Sequence, residues 1–279
     1  MTPDIVRGIG FLGGGNMGRA LAAALLRAGV SPAEIIVAEP QTAAAQALSA
    51  DLGVTTVTDL SVCMDRIDTL VLAVKPQDMV RAVQPLRAAL ETRRPLVISV
   101  AAGLGVSQLQ ALCGSGVPVV RAMPNRPAVE GFGATGLFAA ADVSTSLRQR
   151  AEAIMATAGI VIWVENEALM DVVTAVSGSG PAYFFRFAEA LAAAGVAAGL
   201  SVEASTQLAQ ATLQGAGSMA KPGADLAALR ESVTSRGGTT AAALATFSSE
   251  NLERIVELAV SAAVNRGREL AAEAAKGGS

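Results

Sequence analysis

The chain has 279 residues, 52% of them hydrophobic and 16% charged, which suits one large or two medium globular domains with a core of their own. Its 24 acidic and 21 basic residues leave a formal net charge of -3 without a basic stripe, which argues against nucleic acid and for a small-molecule partner. Histidine is absent and the two cysteines, Cys63 and Cys113, show no CxxC spacing, so Ser/His/Asp and Cys/His triads, common zinc sites and a disulfide framework are all excluded.

From the start to about residue 165, β-branched runs alternate with helical patterns. The runs are 8–12, 35–39, 69–74, 96–101, 117–123, 136–140 and 160–164; the helical patterns between them are 19–28, 42–52, 78–90 and 144–158. This alternation predicts βαβ units and a mainly parallel, doubly wound α/β sheet. Beyond Val164 the β-branched runs stop, and the chain reads as helices rich in alanine and glycine. The first long one is expected to begin near Pro181 and stop at Gly199, with Ser201 capping the next. Small residues along 188–199 suit a helix enclosed by others, which points to a dimer formed through this half. The expected division is 1–164 for the α/β domain and 165–279 for the helical one. The apolar stretch 9–30 is interrupted by Arg19 and Arg27, and 187–200 contains Glu189 and is too short to cross a bilayer. No membrane segment is expected, and the setting is read as cytoplasmic.

The first run ends in Leu12-Gly13-Gly14-Gly15-Asn16-Met17-Gly18, a GxGxxG at Gly13, Gly15 and Gly18 between an apolar strand and a helix. The glycines would allow a tight turn, approach of backbone to a pyrophosphate and close helix packing, with the anion at a helix N-terminus. The plainer alternative is a turn that only permits close packing. Glu39 closes the next run at the offset expected of a ribose-binding carboxylate, which favours NAD over NADP. Against that, Gln41 and Thr42 stand at a helix start where they could bond a phosphate, so the cofactor is read as NADP or NAD.

Two further strand ends, Ala73-Val74-Lys75-Pro76 and Ala101-Ala102-Gly103, fall on the edge where open α/β sheets bind ligands. Small residues there suit a nicotinamide lying against backbone; Lys75 is either a cofactor-lining or a solvated side chain. Asn125, in Met123-Pro124-Asn125-Arg126-Pro127, can orient a neighbour through its amide and is counted with the cofactor residues. In the helical half, Ser235, Gly237, Gly238, Thr239 and Thr240 gather hydroxyls and glycines immediately before an apolar helix, where a carboxylate would be well held. A simple helix cap would need only one of those threonines.

With these segments in place the chain resembles the pyrroline-5-carboxylate reductase family over essentially its whole length. The matching pieces follow the family's order: Gly13 to Gly18, Val74-Lys75-Pro76-Gln77, Met123-Pro124-Asn125, Ser177 to Tyr183, and Ser235 to Thr240, the last being the most specific. The resemblance implies a Rossmann-type doubly wound N-terminal sheet, an all-helical C-terminal dimerisation domain, an active site between them, and NAD(P)H as hydride donor, usually with NADPH favoured. It also implies cofactor contacts from Leu12 to Met17, Ala73 to Pro76 and Ala101 to Gly103, and substrate contacts from Thr239 and Thr240. Arg126 and Arg236 depart from the family's usual threonine and proline. The implied activity is reduction of 1-pyrroline-5-carboxylate to proline, the last step of proline biosynthesis, by a homodimer or higher homo-oligomer. Because the substrate imine is basic enough to arrive protonated, no histidine is required, and Thr240 is expected to bond the ring nitrogen. The rivals are a related imine or 3-hydroxyacid oxidoreductase and a dinucleotide-binding regulator without turnover.

Overall fold

A computed structural model describes residues 7–277. Eight strands form one sheet: Ile9–Leu12 (β1), Ile35–Ala38 (β2), Thr55–Val57 (β3), Thr69–Leu72 (β4), Leu96–Ser99 (β5), Val119–Met123 (β6), Gly133–Ala139 (β7) and Gly159–Trp163 (β8). Their order is β3-β2-β1-β4-β5-β6-β7-β8. Every neighbouring pair is parallel except β6 and β7, which run antiparallel with Arg121 opposite Phe138.

The helices of the first half are Asn16–Arg27 (α1), Thr42–Leu52 (α2), Met79–Val83 (α3), Arg87–Arg93 (α4), Val106–Cys113 (α5), Thr145–Ala156 (α6) and Leu169–Val173 (α7). Each buried strand sends alternate residues to opposite faces, and both faces are covered. Ile9, Phe11, Ile35, Val37, Val71 and Ile98 join Leu21 and Leu25 of α1 and Ile154 of α6 in one core. Leu12, Ile36, Leu70, Leu72 and Val97 join Met79, Leu90 and Leu109 in the other. The second core takes in Cys113, whose burial pushes its thiol up to about 11, an effect the Arg87 charge partly opposes.

Four helices follow, Gly180–Ala197 (α8), Val202–Met219 (α9), Leu226–Ser232 (α10) and Thr239–Ser249 (α11), before the long Leu252–Gly277 (α12). Pro181 lies in the first turn of α8, Gly199 follows its end at φ +109°, and the Ser201 hydroxyl accepts from the Ala204 N–H to cap α9, as expected. Where α8 meets α9, Ser205 Oγ donates to the Ala192 carbonyl at 2.7 Å; a side chain at Gly195 would collide with that hydroxyl. Compactness separates residues 7–178 and 264–277 from residues 179–263. The division read from the sequence, 1–164 and 165–279, marks instead where the strands stop.

Two expectations are corrected. The strand Thr55–Val57 was not among the seven runs: it is short, half-polar and at the sheet edge, where a strand needs no continuous apolar sequence. The helix expected over 78–90 is broken into α3, a 3₁₀ turn Gln84–Leu86 and α4, because Pro85 has no N–H to continue an α-helical ladder. Helix α8, expected to be enclosed through a dimer, has only Gly180 buried within this chain, while Phe184, Phe185 and Leu191 are exposed.

Candidate functional site

Because β1 is followed by β2 and β3 on one side and by β4 on the other, a crevice opens beyond its carboxyl end, where such sheets bind ligands. Leu12 closes β1 in the core, and Gly13 takes φ +108°, with its N–H bonded to the Ala38 carbonyl at 3.0 Å. A Cβ on Gly13 would sit 2.8 Å from the Ala73 carbonyl oxygen, and one on Gly18 would collide with the Gly13 carbonyl. Packing alone therefore accounts for these two glycines. It does not account for Gly15, whose backbone (φ -66°, ψ -173°) suits any residue and whose missing Cβ would meet nothing within 4 Å.

Gly15 is also the N-cap of α1, and no side chain caps that helix. The first-turn N–H groups at Asn16, Met17 and Gly18 thus have no side-chain acceptor, and the helix dipole adds partial positive charge to the same spot. An open place for backbone approach beside an unneutralised helix start fits a pyrophosphate. Glu39, just after β2, borders it: Oε2 accepts from the Gly14 N–H at 3.3 Å and Oε1 from the Gln41 N–H at 3.1 Å.

Ala73, Val74, Lys75 and Pro76 follow β4, with Ala73 N–H bonded to the Leu12 carbonyl at 2.9 Å and Lys75 exposed before a 3₁₀ turn. Ala101, Ala102 and Gly103 follow β5; Gly103 turns at φ +79°. The fold therefore brings the expected cofactor residues of β1, β2, β4 and β5 to one edge of the sheet. Asn125, after β6, is buried and its amide is spent on the protein: Nδ2 donates to the Ser177 carbonyl at 2.8 Å and Oδ1 accepts from the Ala134 N–H at 2.9 Å. It ties the end of β6 to β7 and to the π-helical turn Thr174–Gly178, a type of irregularity often found at functional sites.

The expected substrate residues share one loop in the second unit. Gly237 turns at φ +69°, Gly238 donates to the Ser235 carbonyl at 3.0 Å and is the N-cap of α11, and Thr239 and Thr240 open that helix without a side-chain cap. Arg126 and Arg236 are both exposed.

The sequence reading missed an ion pair. Arg121, in β6 and buried, donates to Glu167 Oε1 at 3.2 Å, and the same oxygen accepts from the Val106 N–H at 2.7 Å, the first residue of α5. An arginine inside an apolar strand signals a partner, since a buried charge is costly unless paired. Which of the acids 46 or so positions on would supply it is not visible locally. Among the described residues no cluster of three or more metal-ligating side chains occurs, and no helix is long and apolar enough to cross a membrane.

An uncapped helix start, a glycine with open space where a side chain would stand and a carboxylate just after the next strand define a dinucleotide-binding α/β domain of the kind oxidoreductases use. Comparison with known proteins narrows the class. The pyrroline-5-carboxylate reductase dimerisation family matches residues 167–270, and an NADP oxidoreductase family, described as coenzyme F420-dependent, matches residues 8–103. A pyrroline-5-carboxylate reductase of Pseudomonas aeruginosa is 40% identical over 264 residues, 94% of this chain and 96% of that one. The structure of a pyrroline-5-carboxylate reductase from Coxiella burnetii aligns with TM-score 0.91 and 38% identity, covering 95% of this chain and 98% of that one. The Plasmodium falciparum pyrroline carboxylate reductase with NADP bound aligns with TM-score 0.78 and 28% identity over 95% and 98%. The chain belongs to the pyrroline-5-carboxylate reductase family.

Proposed function

We propose that the protein reduces 1-pyrroline-5-carboxylate to proline with a reduced nicotinamide dinucleotide, in the cytoplasm and as a homodimer. The supporting observation is a whole-length relation to reductases of that name, 40% over 94% of the chain, together with a crevice whose Gly15 is open and whose helix start is uncapped. In this reading residues 1–164 hold the cofactor and residues 165–279 bind substrate and partner. The two free cysteines, Cys63 and Cys113, agree with a reducing compartment. The unburied apolar side chains of α8 and α9, and a cavity of about 550 Å³ that Phe185, Ala192, Ala209 and Leu213 help to line, support a second copy as partner.

When bound, the reduced nicotinamide supplies the hydride that adds to the C=N carbon of the substrate. The chain's own part is placement. N–H groups of Gly15 to Gly18 hold the pyrophosphate, Ala73 to Pro76 and Ala101 to Gly103 give a small-residue wall, and Asn125 keeps the end of β6 in register with Ser177. Thr239 and Thr240 present N–H groups to the substrate carboxylate, with Ser235, Gly237 and Gly238, whose own N–H is given to the Ser235 carbonyl, shaping that turn, and the Thr240 hydroxyl bonds the ring nitrogen. Orientation of this kind contributes about 7 to 11 kcal/mol to a well-aligned reaction, enough without a strong acid or base.

Purified protein should oxidise NADH or NADPH only when pyrroline-5-carboxylate is present, and proline should accumulate in step. Cofactor binding without turnover of any cyclic imine would favour a regulator and overturn the proposal. Thr240→Ala should lower kcat/KM by about 1.5 to 3 kcal/mol, roughly tenfold to over a hundredfold, and Thr240→Ser much less.

A further inference from the structure

The Glu39 carboxylate is held from two sides. Its bonds from the Gly14 and Gln41 N–H groups fix it, half-buried, against the loop proposed to hold the pyrophosphate. Each carboxylate oxygen has further lone pairs, so the group can still accept hydroxyl protons. Among the described residues no lysine or arginine forms a salt bridge with it. From residue 39 to residue 54 the chain has neither lysine nor arginine. The arginine in the first turns of α1, Arg19, is committed to Asp51 at the end of α2, at 2.6 Å.

Resting on the reductase reading above, we propose that Glu39 makes the crevice select NADH over NADPH. The carboxylate accepts the adenosine-ribose hydroxyls of NADH, whereas the 2'-phosphate of NADPH would bring roughly two negative charges against a fixed third one. Gln41 and Thr42, which the sequence alone leaves as possible phosphate ligands, add no charge of the needed sign. The Gln41 N–H, the donor a phosphate would use, is already given to Glu39.

Calorimetric Kd values for the oxidised and reduced forms of both cofactors test the assignment without turnover. Wild type should bind NADH about tenfold or more tightly than NADPH at low salt, and the ratio should narrow as salt rises, since a half-exposed repulsion is screened. Glu39→Gln should bring the ratio close to one, and Glu39→Ser combined with Gln41→Arg should turn it toward NADPH. Equal Kd values in wild type, tighter NADPH binding, or a ratio unmoved by Glu39→Gln would each overturn the proposal. Selective NADH binding without imine reduction would remove the reductase reading and leave this one standing; full turnover with equal Kd values would do the reverse.

Discussion

The two compact units spend their apolar residues differently. In the first, the side chains of Phe11, Leu21, Leu25, Leu70, Leu72 and Leu90 are wholly buried, and strands and helices of the unit itself cover them. In residues 179–263, Ala209 is the one hydrophobic residue buried, while Phe184, Phe185, Phe187, Leu191, Leu208 and Val256 are all exposed. Yet both are equally well formed as secondary structure, because helix geometry, capping and propensity are local matters. The difference teaches that helices can be fully specified by sequence while their packing partner lies outside the chain. Stability of such a segment depends on concentration, whereas that of the sheet unit does not.

The same substitution made in both units should separate these behaviours most strongly. Phe11→Ala empties a closed core and should cost about 3 to 5 kcal/mol at any protein concentration in denaturant titrations. Phe187, 49% exposed with its ring tilted against Phe247 at 5.9 Å between centroids, has little of its own chain to lose. Phe187→Ala should act on association, so its destabilisation grows as the protein is diluted and sedimentation shows smaller species. Equal, concentration-independent costs at the two sites would erase the contrast.

Next in size is an alkaline effect confined to the sheet unit. Cys113 is held protonated by burial, its thiol raised from 9.0 to about 11. A raised folded value means stability is complete below the unfolded value and is lost as pH rises, here between about 9 and 11. The loss should reach about 2 to 3 kcal/mol, and it should be missing from Cys113→Ala when each protein is compared with its own stability at pH 8. Smallest is a local effect in the helical unit: Ser201→Ala removes the cap of α9 and should cost about 1 kcal/mol by the same titration. Were that cost to vanish, the helices would be held by their partner surface alone.

What could be read in advance follows the same line between local and distant causes. The runs at 8–12, 35–39 and 69–74, which hold β1, β2 and β4, are visible because each is largely apolar on both faces, and α2 has its expected bounds because Thr42 and Gly53 mark its ends. Thr55–Val57 escaped because edge pairing to β2 left its sequence unconstrained, and the break at Pro85 escaped because apolar residues at helical spacing continue on both sides of it. The glycine loop was legible as a contiguous motif. The pinning of Glu39 by Gly14, 25 residues away, the spending of Asn125 on Ser177 and the pairing of Arg121 with Glu167 were not, since each joins residues that only the folded sheet makes neighbours.

The Arg121 and Glu167 pair carries a consequence for descent. Losing Glu167 strands the buried Arg121 charge, at about 3 to 5 kcal/mol, losing Arg121 costs less because the Glu167 side chain is 31% exposed, and replacing both by apolar residues of similar size is close to neutral. Single changes at either position are thus a valley and the double change a plateau. Glu167 additionally accepts the Val106 N–H at the start of α5, so the plateau is open only to lineages that also find that donor a new acceptor. Among relatives the two positions are therefore expected to be inherited as one character, retained together or exchanged together.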